Sequence, residues 1–124
     1  MQKFFLISGG VLGMLGVVIG AFGAHALKSR LVANGRLDTF ETAVKYQFYH
    51  ALALILLGLI MNQWDQKAFV ISGYGFLTGT LLFSGSLYVL AIAGITRMGA
   101  VAPFGGLAMI LGWAAMCWGL MKAL

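Results

Sequence analysis

The chain has 124 residues, of which 61% are hydrophobic and 9% charged, with a formal net charge of +5. A soluble domain carries about 25% charged and 45–50% apolar residues, so water is not the main solvent of this chain. Four membrane spans of about 20 residues each would use about 80 residues, which leaves short loops and no room for a soluble catalytic domain. The basic excess suits loops beside anionic lipid headgroups. A nucleic-acid interface needs a basic stripe on a soluble face, and none is present. The single cysteine, Cys117, lies in an apolar stretch and reads as a small buried apolar residue. One cysteine cannot form an internal disulfide.

The first apolar run covers residues 4–26. Lys3 precedes it, as in a signal peptide, but the run exceeds the apolar core of about 7–15 residues that such a peptide has. It reads as a retained first helix. Residues 27–37 are a basic connection with Lys28, Arg30 and Arg36, and Asn34-Gly35 is a turn signal. Asp38 and Glu41 have the spacing of an Asp-type capping box. A helical pattern follows, amphipathic over 38–45, with Glu41 and Lys45 as an i,i+4 pair in the favoured order. It runs into an apolar stretch, giving one long helix over 38–62 whose spanning part is about 46–62. A polar turn over 63–67, a third span over 68–93, a turn carrying Arg97 and a fourth span over 100–121 complete the chain. Such short connections predict antiparallel neighbours. The expected fold is an all-α polytopic membrane protein, a single up-down-up-down bundle of four transmembrane helices.

Lys3, Lys67 and Lys122 fall at one membrane face, and Lys28, Arg30, Arg36, Lys45 and Arg97 at the other. The positive-inside rule assigns the richer face to the cytoplasm, with both termini outside.

Two spans carry small-residue stripes. Gly9, Gly13, Gly16, Gly20 and Gly23 recur at alternating steps of four and three in the first span. Gly105, Ala108, Gly112, Ala115 and Gly119 do so in the fourth, at steps of three and four. Close backbone contact drives helix packing in lipid, and small residues permit it. These faces predict close packing within the bundle, in a homo-oligomer or in a larger membrane complex.

The unusual polar residues gather toward one half of the membrane: His25, His50, Ser84, Ser86, Tyr88 and, beyond Arg97, Pro103. Intramembrane polar groups are functional candidates by default, since they cost free energy unless paired. A metal site of His25, His50 and Glu41 is disfavoured, because nine residues at about 100° each put Glu41 and His50 on opposite helix faces. Two histidines alone are a thin zinc site, so no metal or other cofactor is expected. A hydrogen-bond network of His50, Tyr88 and Ser84 is the favoured arrangement. A nucleophilic Ser84–His50 pair would use the same residues, without a Gly-x-Ser-x-Gly elbow or an acidic third member. No phosphate-binding loop, dinucleotide fingerprint, His-Glu-x-x-His or haem-attachment motif occurs.

Four ordered motifs, Gly20-Ala-Phe-Gly-Ala-His25, Phe40-Glu-Thr-Ala-Val-Lys-Tyr-Gln-Phe-Tyr-His50, Leu82-Phe-Ser-Gly-Ser-Leu-Tyr88, and Pro103-Phe-Gly-Gly106 with Gly112-Trp113, span nearly the whole chain. They resemble the YgdD/YwdK-like family of small bacterial inner-membrane proteins, a domain-of-unknown-function family similar also to eukaryotic transmembrane protein 256. The resemblance implies a four-helix protein of the bacterial inner membrane and no particular activity. It directs attention to His25, Glu41, Tyr46, Gln47, His50, Ser84, Ser86, Tyr88 and Pro103. The leading expectation is a non-catalytic accessory or scaffold component surrounded by membrane lipid. The alternatives are a small carrier or channel for a solute, lipid or proton, and an intramembrane enzyme using His50 and Ser84.

Overall fold

The computed structural model describes residues 1–124 and contains only helices. Four are long and apolar enough to cross a membrane. They are α1 (Gln2–Ala24), α3 (Leu37–Met61), α4 (Lys67–Ala93) and α5 (Ala102–Ala123), the last preceded by a 3-10 turn over Thr96–Ala100. A short helix, α2 (Lys28–Ala33), occupies the basic connection.

The helix ends follow local chemistry. Gly35, at φ +66°, ends α2 in the left-handed region that glycine adopts without a Cβ penalty. The Arg36 N–H bonds to the Leu31 carbonyl and the Gly35 N–H to that of Val32, which is the Schellman arrangement. Gly94, at φ +71°, ends α4 in the same region. The Asn34 amide then donates to the Ala91 carbonyl at 3.2 Å, so the α2–α3 turn satisfies an acceptor in the last turn of α4. The capping box expected at Asp38 and Glu41 does not form. Arg36 is the N-cap of α3 without a side-chain bond, and Asp38 is the second helical residue, past the capping position. Its charge still suits the positive end of the helix dipole.

α1 packs along α3, α3 along α4, and α4 along α5, while α1 and α5 do not pack along each other. The buried residues of α1 are Phe5, Gly9, Leu12, Gly16 and Gly23. Those of α5 are Ala102, Gly105, Met109, Gly112, Met116 and Gly119. Both sets keep the 3.5-residue repeat of left-handed helix packing. Each uses three glycines of the expected stripe, but the contact face is turned toward a bulky flank. Leu12 is buried on α1, whereas a Cβ at Gly13 would meet nothing within 4 Å. On α5 the buried flank is Met109 and Met116, with Ala108 and Ala115 only partly buried. The glycines bring the backbones together, and the large side chains fill the space beside them that a purely small face would leave empty.

The close approaches are concrete. A Cβ at Gly9 would lie 2.7 Å from the Ala51 carbonyl oxygen of α3, and one at Gly16 2.9 Å from the Phe48 ring. Gly23 abuts the Phe40 ring. Between α4 and α5, Gly79 and Gly105 face one another's backbones, and a Cβ on either would come within 2.8 Å of the other's carbonyl oxygen. The fully buried rings of Phe5, Phe69 and Phe76 fill the core beside these crossings. Cys117, expected inside, lies instead on the exposed surface of α5. The periodicity of α5 explains this, because Cys117 falls just off the Met109–Gly112–Met116–Gly119 face.

Candidate functional site

The polar side chains of the core come mainly from one helix turn of α3 and from the later half of α4. Gln47 and His50 are three residues apart, so they share one buried side of α3, at 3% and 4% exposure. Ser84 and Ser86 of α4 are buried as well, and Tyr88 is partly buried.

These groups form two separate hydrogen-bond clusters rather than one. In the first, Tyr88 donates its hydroxyl to Gln47 Oε1 at 2.5 Å, and Gln47 Nε2 donates to the Leu12 carbonyl of α1 at 2.8 Å. A single amide thus joins α1, α3 and α4. In the second, the Trp113 indole N–H of α5 donates to His50 Nε2 at 3.1 Å, while His50 Nδ1 lies 2.8 Å from the Tyr46 carbonyl. An indole can only donate and a carbonyl can only accept. The ring must therefore be the neutral tautomer, with its proton on Nδ1. Phe76 packs against both rings, 5.5 Å from His50 and 4.7 Å from Trp113 between centroids.

The network of His50, Tyr88 and Ser84 expected from sequence is not the observed one. Ser84 donates to the Ala43 carbonyl at 2.7 Å. Ala43 precedes His50 by seven residues, about 10 Å along the helix at 1.5 Å per residue. The serine and the imidazole consequently serve different levels of the bundle. His50 has its acceptor nitrogen covered by Trp113, so it cannot take a proton from Ser84. Ser86 bonds within its own helix, to the Phe83 carbonyl at 2.9 Å. Thr80 does the same with Phe76 at 2.6 Å.

The remaining candidate side chains make no hydrogen bond in these clusters, although the Tyr46 carbonyl is the acceptor beside His50 Nδ1. His25 is exposed just beyond α1, and its backbone N–H caps that helix by bonding to the Ala21 and Phe22 carbonyls. Glu41 is exposed on α3. Tyr46 is 38% exposed and its ring packs at a tilt against Phe83, with centroids 4.8 Å apart. Pro103 is in the first turn of α5, where its missing N–H has no partner to lose. No group of three His, Cys, Asp or Glu side chains has metal-binding proximity.

Trp113 and the Leu12 carbonyl are the partners that the sequence reading did not gather. Trp113 stands in the Gly112-Trp113 motif, and its indole N–H within an apolar span is itself a signal, since a donor held away from water is costly unless it finds an acceptor. A backbone carbonyl leaves no such trace.

One recess adjoins the first cluster and another lies apart from both. A crevice of about 150 Å³ between α1, α3 and α4 reaches Gln47, Thr80, Ser84 and Tyr88. A larger cleft of about 340 Å³ lies where α1 ends and α3 begins.

Comparison with known proteins places these features in a family. The family described as "Protein of unknown function (DUF423)" matches residues 19–106. The UPF0382 membrane protein SH2409 of Staphylococcus haemolyticus is 41% identical over 112 residues, covering 90% of both chains. The UPF0382 membrane protein YwdK of Bacillus subtilis is 37% identical over 113 residues, covering 90% of this chain and 91% of that one. The UPF0382 inner membrane protein YgdD of Escherichia coli is 36% identical over 121 residues, covering 98% and 92%. No solved structure matches the chain. With four membrane-spanning helices and this degree of identity over nearly its whole length, the chain belongs to the DUF423, or UPF0382, family of multi-pass inner-membrane proteins.

Proposed function

We propose that this protein is a non-catalytic structural component of the membrane, an accessory or scaffold subunit that presents a rigid four-helix body to a larger assembly or to copies of itself. The observation that carries the reading is the use made of the polar side chains. Gln47, His50, Ser84, Ser86, Tyr88 and Trp113 all have partners within the chain. They fasten helices to one another and leave no free base beside a free nucleophile. The glycines at the contacts of α1 with α3 and of α4 with α5 are likewise engaged inside the bundle. Partner contacts therefore fall on the outward surfaces of α1 and α5, the two helices that end the row.

Membrane patches excised into polymer nanodiscs without detergent test this. The expected particle contains more than one chain, or this chain with a second protein at fixed stoichiometry. A particle holding a single copy and lipid alone would remove the proposal.

The carrier reading draws on one observation, the lateral crevice at Gln47, Thr80, Ser84 and Tyr88. It requires flux in proteoliposomes that falls in Gln47→Leu or Tyr88→Phe while the protein still folds.

A further inference from the structure

The cleft at the α1–α3 junction has an apolar floor and a charged rim. Gly20, Gly23 and Phe40 line the floor, and Lys28, Glu41 and Lys45 line the rim. The recess opens beside Gly20 near the end of α1, where a Cβ would have only Val44 within 4 Å, while the Phe40 ring fills the space against Gly23. Its volume of about 340 Å³ lies within the range of about 300–1,000 Å³ usual for small-molecule sites. Lys28 opens α2 and Lys45 stands two turns into α3, so their ammonium groups approach the cleft from different elements. Two lysines against one carboxylate leave the rim with one net positive charge.

The walls are the ends of two membrane-spanning helices, so the cleft stands at the depth where lipid phosphates lie. We infer that it is a binding site for one anionic phospholipid. The phosphodiester would sit between Lys28 and Lys45, with the glycerol and the first methylenes against the floor at Gly20 and Phe40. One net positive charge on the rim is matched by a lipid with one net negative charge, such as phosphatidylglycerol. A zwitterionic lipid leaves that charge unbalanced. Glu41 lies one turn before Lys45 on the same face and offsets one of the two lysine charges, which leaves one positive charge unmatched.

The test is native mass spectrometry of the full chain, delipidated and titrated with phosphatidylglycerol or phosphatidylcholine. One phosphatidylglycerol per chain is expected, preferred by about thirtyfold, as two surface lysines each favouring an anionic lipid would give. Lys28→Gln with Lys45→Gln should abolish that preference. Arg30→Gln with Arg97→Gln removes the same charge from the same membrane face outside the cleft and should leave the preference intact. Gly20→Val should fill the cleft and lower binding with every charge retained. Equal losses in both charge pairs would overturn the proposal by showing attraction to the whole basic face. Unchanged binding in Gly20→Val would overturn it too, as would displacement of the lipid by millimolar glycerol phosphate, which would identify a free-anion site.

Discussion

The Trp113 indole N–H meets His50 Nε2 at 3.1 Å and so joins α5 to α3, two helices that are not sequence neighbours. The contact also fixes the histidine as a neutral ring with its proton on Nδ1, directed at the Tyr46 carbonyl. Trp113→Phe should keep most of the packing against Phe76 and remove only the donor. The stranded acceptor and lost bond should cost about 1 kcal/mol, within the span measured for hydrogen bonds between membrane helices. A double-mutant cycle with His50→Leu, read by unfolding in a graded detergent mixture, should return a coupling of that order. Strict additivity of the two substitutions would show that the contact is not made.

Gln47 has a greater reach than Tyr88. It accepts from Tyr88 and donates to Leu12, whereas Tyr88 contributes one of those bonds. Gln47→Leu should therefore destabilise more than Tyr88→Phe, by about 1 kcal/mol for the additional net hydrogen bond. It should also raise amide exchange in α1 around Leu12, since that is where the amide fastens the first helix. Equal effects of the two variants on stability and on α1 exchange would contradict the bridging role.

The number and order of the spanning helices were legible because each span is a long apolar run, and the runs are separated by charged or turn-forming residues. The gathering of Gln47, His50, Ser84 and Tyr88 was partly legible, since polar residues stand out in apolar helices. Their pairing was not. Choosing between Tyr88 and Trp113 as the partner of His50 depends on helix rotation and depth, which composition does not carry. The same rotation decides that Leu12, and not Gly13, lies against the neighbouring helices. Both positions satisfy a spacing of three and four from the glycines around them, so periodicity alone cannot separate them.

Neighbouring glycines of α1 should respond oppositely to the same substitution. Gly9→Ala brings a methyl to 2.7 Å from the Ala51 carbonyl oxygen, a backbone atom that cannot swing aside. Gly10→Ala meets nothing within 4 Å. The first should destabilise by about 1–3 kcal/mol, as overpacking does. The second should be neutral or stabilising by up to about 1 kcal/mol, because alanine forms helix more readily than glycine. Gly105→Ala should behave like Gly9→Ala, with the Phe83 backbone in its way. Thermal unfolding of the three purified variants distinguishes this pattern from a uniform penalty across the stripe.

Ser72 Oγ is the one buried side-chain polar atom without a hydrogen-bond partner. Ser72→Ala removes that hydroxyl with little change in volume, in a site that is fully buried on α4. The variant should be more stable by about 1 kcal/mol, the desolvation penalty relieved when an unpaired buried hydroxyl is deleted. A loss of stability of that size would mean that the hydroxyl has a partner in the membrane.

The fold also bears on orientation. α2 and the 3-10 turn carry Lys28, Arg30 and Arg97, and they lie at the same end of the bundle because Asn34 reaches the last turn of α4. Arg36 and Lys45 belong to that end too, so five basic residues oppose Lys3, Lys67 and Lys122 at the other. The acidic residues count little in the positive-inside rule, and the margin therefore favours a cytoplasmic α2 with both termini on the far side. Introduced cysteines at Ser29 and Gln66, in a Cys117→Ala background, separate the alternatives in intact cells with a membrane-impermeant maleimide. Labelling at position 66 and protection at 29 is the expected result, and the reverse pattern would place both termini in the cytoplasm. Replacing Arg30 and Arg97 by Gln should then give a mixed population, because three basic residues remain at each end.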